Sequence, residues 1–183
     1  QPSISLASMF SSSDSAAVYG AIHIEVMCYS TSMFFDPDIH DIPIPDALDH
    51  VVEVDVMMSV FAAQRLQSVD AMRREALEDA AARGRSFTDV VERGIRLELA
   101  SALRITEYAA ASLVSLAEAL VHRYPAALES LSHANITERH AEILVTALDA
   151  VDPALRQQLL PRAVAIAEAE PVGTFRRAMK KLI

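Results

Sequence analysis

Apolar residues recur every three to five positions through most of this chain, a spacing that predicts helices rather than strands. From Asp46 to Ala82 there is no Gly or Pro, and Met58, Phe61, Leu66, Val69, Met72 and Leu77 form one stripe. They predict a long amphipathic helix, roughly 50 Å at about 1.5 Å per residue. Arg83-Gly84 ends it, with Gly84 suited to a left-handed closing conformation. Ser86 or Thr88 opens a second helix with Val91, Ile95, Leu99 and Leu103 facing inward, and a turn at Arg104-Ile105 leads to Thr106. The Thr106 hydroxyl caps a third helix, whose broad apolar face is Ala110, Leu113, Val114, Ala117, Leu120 and Val121. Pro125 begins a short helix carrying Leu128 and Leu131, with Asn135 as its stop. Thr137 caps the next, which turns Ile143, Leu144 and Leu148 inward. At Asp152-Pro153 the carboxylate caps, while proline at the first helical position loses no needed hydrogen bond. Pro161 removes the bond to the Gln157 carbonyl and is expected to kink or divide that helix. A last helix runs from about Thr174 to the end.

Residues 1–47 read differently, with Ser11-Ser12-Ser13, Asp36-Pro37-Asp38 and Ile42-Pro43-Ile44-Pro45. Closely spaced prolines exclude a helix there. Ala21 to Val26 alternates with period two and suits a short strand, but one strand alone is not stable. The expectation is therefore an all-α protein. It comprises a multi-helix bundle of about seven helices over residues 48–183, with one long N-terminal helix and a helix-turn-helix-like pair. An irregular or weakly ordered acidic arm, residues 1–47, precedes it.

Charge sharpens this division. All 16 Lys and Arg lie at or after Arg65, while nine acidic residues precede it, so the first 64 residues carry the whole net charge of −9. A neutral body with an acidic arm exerts no whole-domain attraction on phosphate, and any basic surface must be local. Cys28 stands alone, which rules out a disulfide framework or a cysteine-rich zinc site and suits a reducing, cytoplasmic setting. The apolar stretch from Ala16 to Phe35 contains His23 and Glu25 and lacks a basic flank, against both a membrane span and a secretory signal. The opening Gln1 points to a fragment or processed product.

Candidate chemistry is sparse. The second and third helices have the length and spacing of a helix-turn-helix, yet the outer face of the third offers Glu107, Tyr108, Ala111, Ser112, Ser115 and Glu118. Two carboxylates and no cation would be repelled by a phosphate-lined groove. The densest basic patch is Arg176, Arg177, Lys180 and Lys181, fit for phosphate contact or simply for offsetting a helix C-terminus. His140 is expected to be a buried, neutral histidine satisfied within the bundle. His122 and His133 lack partners in sequence for metal or base chemistry. Asp36, Asp38, His40 and Asp41 are the one metal-like cluster, but without the glycine and distal Glu of a calcium loop they read as an acidic linker. Met57, Met58, Met72 and Met179 sit at core spacings. The four glycines, Gly20, Gly84, Gly94 and Gly173, form no phosphate loop.

The run Ile136-Thr137-Glu138-Arg139-His140-Ala141-Glu142-Ile143 carries a family likeness. It is preceded by Glu98 to Thr106 and by Ala117, Leu120, Pro125, Leu128 and Leu131, and followed by Asp152-Pro153 and Phe175 to Leu182. Over about residues 48–183 this order resembles the helical domain of unknown function 222 family, which precedes an HNH endonuclease module. The resemblance implies a non-catalytic helical accessory module of such a nuclease, assisting DNA engagement through the full-length protein. Thr106, Thr137, His140, Asp152 and Pro153 would be structural and no catalytic residue is carried over. No cofactor is implied in this chain; a divalent metal would belong to the HNH module after Ile183, whose closely spaced His and Asn do not occur here. A looser similarity, to ParB-type partition proteins after their DNA-reading unit, leaves open a helix-turn-helix DNA-binding module. A third alternative is a protein-protein scaffold, a homodimer through the long first helix, whose apolar stripe needs a covering partner.

Overall fold

The computed structural model describes residues 46–84 and 88–183. Helices account for 87% of these residues and no strand occurs among them, so the protein is all-α. Seven α-helices follow in order: α1 (Ala47–Ala82), α2 (Thr88–Leu103), α3 (Glu107–Glu118), α4 (Pro125–Ser132), α5 (Glu138–Asp149), α6 (Pro153–Ala169) and α7 (Val172–Leu182). The expected strand-like Ala21 to Val26, the expected helix start at Ser86 and the cluster Asp36, Asp38, His40 and Asp41 lie outside the described residues, as does the predicted arm up to Pro45. The long helix expected from Asp46 starts there, with Asp46 as its cap and Ala47 as its first residue, so it overlaps the last two residues assigned to the arm.

Local chemistry sets the helix ends. Asp46 accepts the N–H groups of Leu48 and Asp49 at 2.7 and 3.0 Å, and the Asp49 carboxylate accepts the Asp46 N–H at 2.8 Å. Two aspartates thus form a reciprocal capping box on α1. The Thr106 hydroxyl accepts the Ala109 N–H at 3.1 Å, and Asp152 accepts the Ala154 N–H at 2.9 Å with Pro153 at the first helical position. Three helices close on a left-handed residue: Gly84 (φ 67°), Arg104 (φ 55°) and Ala134 (φ 57°). After α4 the closing residue is thus Ala134, not Asn135, because the Ala134 N–H reaches the Leu131 carbonyl and the Asn135 N–H the Ser130 carbonyl, both at 3.0 Å.

The core is continuous from Ala62 on α1 to Met179 on α7, with Leu66, Leu120, Tyr124, Leu131, Leu144, Leu148 and Phe175 fully buried. It departs from the predicted stripes at two places. On α1, Met57, Met58 and Phe61 are exposed, and Ser59, Ala62, Ala63 and Asp70 face the core instead. The buried stripe begins only at Ser59, and every residue from Asp46 to Met58 is exposed. On α2, Ile95 and Leu99 are buried but Leu103 is exposed, because the left-handed Arg104 ends the helix one residue later and turns the chain away. Of the kink or division expected at Pro161, division does not occur, since α6 runs through it. Pro161 and Gln157 both lie on its exposed face, where the freed carbonyl is open to solvent.

Candidate groove between α3, α5 and α7

The α2–α3 pair is joined at Arg104–Thr106 as a helix-turn-helix requires, but the outer face of α3 does not stand free. Tyr108, Ala111, Ser112 and Ser115 form one wall of an open groove of about 1540 Å³, opposite Thr146, Ala147 and Ala150 of α5. Apart from Tyr108, these side chains are small, which allows another backbone to approach closely. Ile105, Leu116, Ile143, Met179 and Ile183 add apolar lining. A volume above the ~300–1,000 Å³ of small-molecule sites suits a segment of polypeptide.

The charges around the groove fall into two groups. At the α1 end, Arg65 is paired with Glu138 and Arg139 with Glu142. The two carboxylates on the α3 face are also matched: Glu118 accepts from Arg123 at 2.6 Å and Glu107 lies 3.9 Å from Arg93. At the α7 end, Arg176 and Lys180 line the groove, exposed and without a carboxylate partner among the described residues. Arg177 and Lys181 are exposed as well, and Arg177 is 3.4 Å from the Thr174 hydroxyl. The predicted patch is therefore present on one helix, but only half of it faces the groove.

His140 lies at the base of α5, buried as expected. Its Nδ1 accepts the Thr137 N–H at 3.2 Å and lies 2.9 Å from the Thr137 hydroxyl, and its Nε2–H donates to the Glu170 carbonyl at 3.0 Å. One ring nitrogen accepts and the other donates, which assigns the neutral tautomer protonated at Nε2. His140 thus replaces the usual Glu or Gln of a capping box and ties the start of α5 to the end of α6, with Phe175 of α7 5.4 Å from its ring.

Two polar sites escaped the sequence reading because their partners are far apart in the chain. Pro125 cannot donate an N–H and disfavours helical geometry at Tyr124, so the end of the third helix widens into a π turn at Ala119–Arg123. The Tyr124 N–H reaches the Ala119 carbonyl at 2.9 Å. The turn directs His122 Nε2–H to Asp70 of α1 at 2.9 Å and Arg123 to Asp149 of α5 at 2.9 Å. Asp70, only 1% exposed, also accepts from Arg74 at 3.0 Å. The buried Tyr124 hydroxyl donates to Asp149 at 2.6 Å. Burial, with the Asp149 bond and charge added, pushes the Tyr124 phenol up to about 12. Arg156 fastens the same corner by donating to the Leu148 and Val151 carbonyls at 3.1 and 3.2 Å.

Among the described residues no three His, Cys, Asp or Glu side chains converge on a common point, and no helix is long and apolar enough to cross a membrane. His133 only contacts the Glu129 carbonyl of its own helix, at 2.9 Å. Comparison with protein-family models, with curated proteins and with solved structures finds no match to this chain.

Proposed function

We propose that this chain is a non-catalytic helical docking module that holds a helical segment of a partner between α3 and α5. The observation that carries the reading is the groove itself: Ala111, Ser112 and Ser115 facing Thr146 and Ala147, apolar lining, and two unmatched cations at one end. Its carboxylates support binding over catalysis, since Glu138, Glu142 and Asp149 are each engaged by arginines or Tyr124. An amphipathic helix laid into an apolar groove is a recurrent mode of recognition. The order of sequence motifs, which resembles the helical domain of unknown function 222 family, makes such a module the accessory part of an HNH endonuclease, working beside a metal-dependent module in the same protein.

A designed amphipathic peptide of Leu and Glu, titrated into dilute labelled chain, tests this. Backbone amide shifts at Ser112, Ser115, Thr146 and Lys180 are the expected result, with loss of binding in Ser112→Trp. Shifts scattered outside the groove, or none, would end the reading.

DNA contact is the second reading, and the exposed Arg176, Arg177, Lys180 and Lys181 favour it. Four cations on one helix can meet a phosphate backbone without reading sequence. Fluorescence anisotropy with a short labelled duplex should then show affinity falling with salt, and the quadruple Ala variant should flatten that dependence.

A further inference from the structure

The N-terminal part of α1, residues 47–61, is apolar and acidic, and among the described residues most of its apolar side chains are uncovered. Leu48, Val51, Val52, Val54, Val56, Met58 and Phe61 are all exposed large apolar residues, Phe61 to 62%. From Asp46 to Gln64 the helix carries Asp46, Asp49, Glu53 and Asp55 and no Lys or Arg. At about 100° per residue, Leu48, Val52 and Val56 form one apolar face with Asp49 and Glu53 along its edge, and Val51, Val54, Met58 and Phe61 form a second on the far side of Asp55. A helix with this much uncovered aliphatic surface needs a partner.

The groove between α3, α5 and α7 offers what this segment lacks. It is apolar, bordered by small residues, and its unmatched cations are Arg176 and Lys180. These are one helical turn apart, as are Asp49 and Glu53, so both pairs repeat at about 6 Å along their helices. A smaller hollow formed by Asp55, Met58, Ser59 and Ala62 of α1 with Thr137, Glu138, Arg139 and Glu142 shares its last three residues with the groove. The exposed part of α1 and the groove are therefore neighbouring surfaces that can both be used across one two-fold axis. Direct pairing of two α1 segments would instead bring four carboxylates against four, with no cation before Arg65.

Resting on the groove reading above, we propose that the occupant is a second copy of this chain: residues 47–61 of each protomer lie in the α3–α5–α7 groove of the other. The exchange is isologous and covers both surfaces at once. Asp49 and Glu53 of one copy meet Arg176 and Lys180 of its partner, and Leu48, Val52 and Val56, on the adjoining face of the helix, enter between the small residues of α3 and α5.

Sedimentation equilibrium of the full 183-residue chain across the micromolar range, in reducing buffer so that Cys28 cannot cross-link, decides the matter. A dimer is expected. Val52→Glu with Val56→Glu, on side chains exposed in the single copy, should abolish it, and Ser112→Trp should do the same by filling the groove. Glu53→Lys and Lys180→Glu should each weaken association about tenfold or more, and their combination should restore it. Unchanged circular dichroism will show that each variant folds. A strict monomer, or a dimer indifferent to Ser112→Trp and to the charge exchange, overturns the proposal. If the Leu and Glu peptide still binds the monomer at the groove, the docking reading stands without this occupant.

Discussion

The Tyr124 hydroxyl donates to Asp149 across 2.6 Å, joining the π turn before Pro125 to the end of α5. Tyr124 is fully buried and its phenol is pushed from 10.0 to about 12, so the folded protein resists its ionisation. A group whose folded pKa is raised contributes stability that is complete below its unfolded value and is lost as pH climbs through the folded one. Stability should therefore fall between pH 10 and about 12, by an amount on the order of 2 to 3 kcal/mol from this group. Urea denaturation along that pH range checks it. Tyr124→Phe should remove this part of the alkaline decline and cost about 1 to 2 kcal/mol at neutral pH through the lost hydrogen bond.

His140 links three helices with one neutral ring. His140→Ala leaves the Thr137 N–H and the Glu170 carbonyl without their partner and opens a void beside Phe175. A loss of about 2 to 4 kcal/mol is expected by chemical denaturation. His140→Gln, which can still reach back to Thr137, should recover part of it. Equal losses in both variants would show that the cap matters little.

Ala134 closes α4 at φ 57°, a conformation that costs a residue with a Cβ about 1 to 2 kcal/mol. Ala134→Gly relieves this strain but loosens the unfolded chain by roughly 0.5 to 1 kcal/mol. The net expectation is a gain of up to about 1 kcal/mol, visible as a higher melting temperature in calorimetry. Arg104→Gly should act in the same direction, and a lowered melting temperature in both would contradict the account.

Asp70 is buried while its partners His122 and Arg74 reach solvent, with side chains 43% and 54% exposed. Removing a donor should therefore hurt more than removing the acceptor. His122→Ala strips one of the two donors from a buried carboxylate and is expected to cost about 1 to 3 kcal/mol. Asp70→Leu, with both cations free to turn to water, should stay within about 1 kcal/mol of the parent. Urea midpoints for the two variants, measured side by side, test the order.

Local chemistry written in the sequence decided the helices. Asp46, Thr106 and Asp152 begin three of them because a side-chain oxygen beside an unpaired N–H acts within three residues, whatever the rest of the chain does, and at Thr137 the His140 ring closes the start of α5 over the same short range. Gly84 ends α1 for an equally local reason. Periodicity also placed Leu66, Val69, Ile95, Leu99, Leu144 and Leu148 in the core. It could not tell where along α1 the core begins, because an apolar stripe looks the same whether or not anything packs on it. Met58 and Phe61 continue the stripe into solvent for that reason. The groove, the Asp70–His122 pair and the Asp149 corner belong to tertiary structure alone. Asp70 and His122 are 52 residues apart and Tyr124 and Asp149 are 25 apart, so only the packing of α1, the π turn and α5 brings them together.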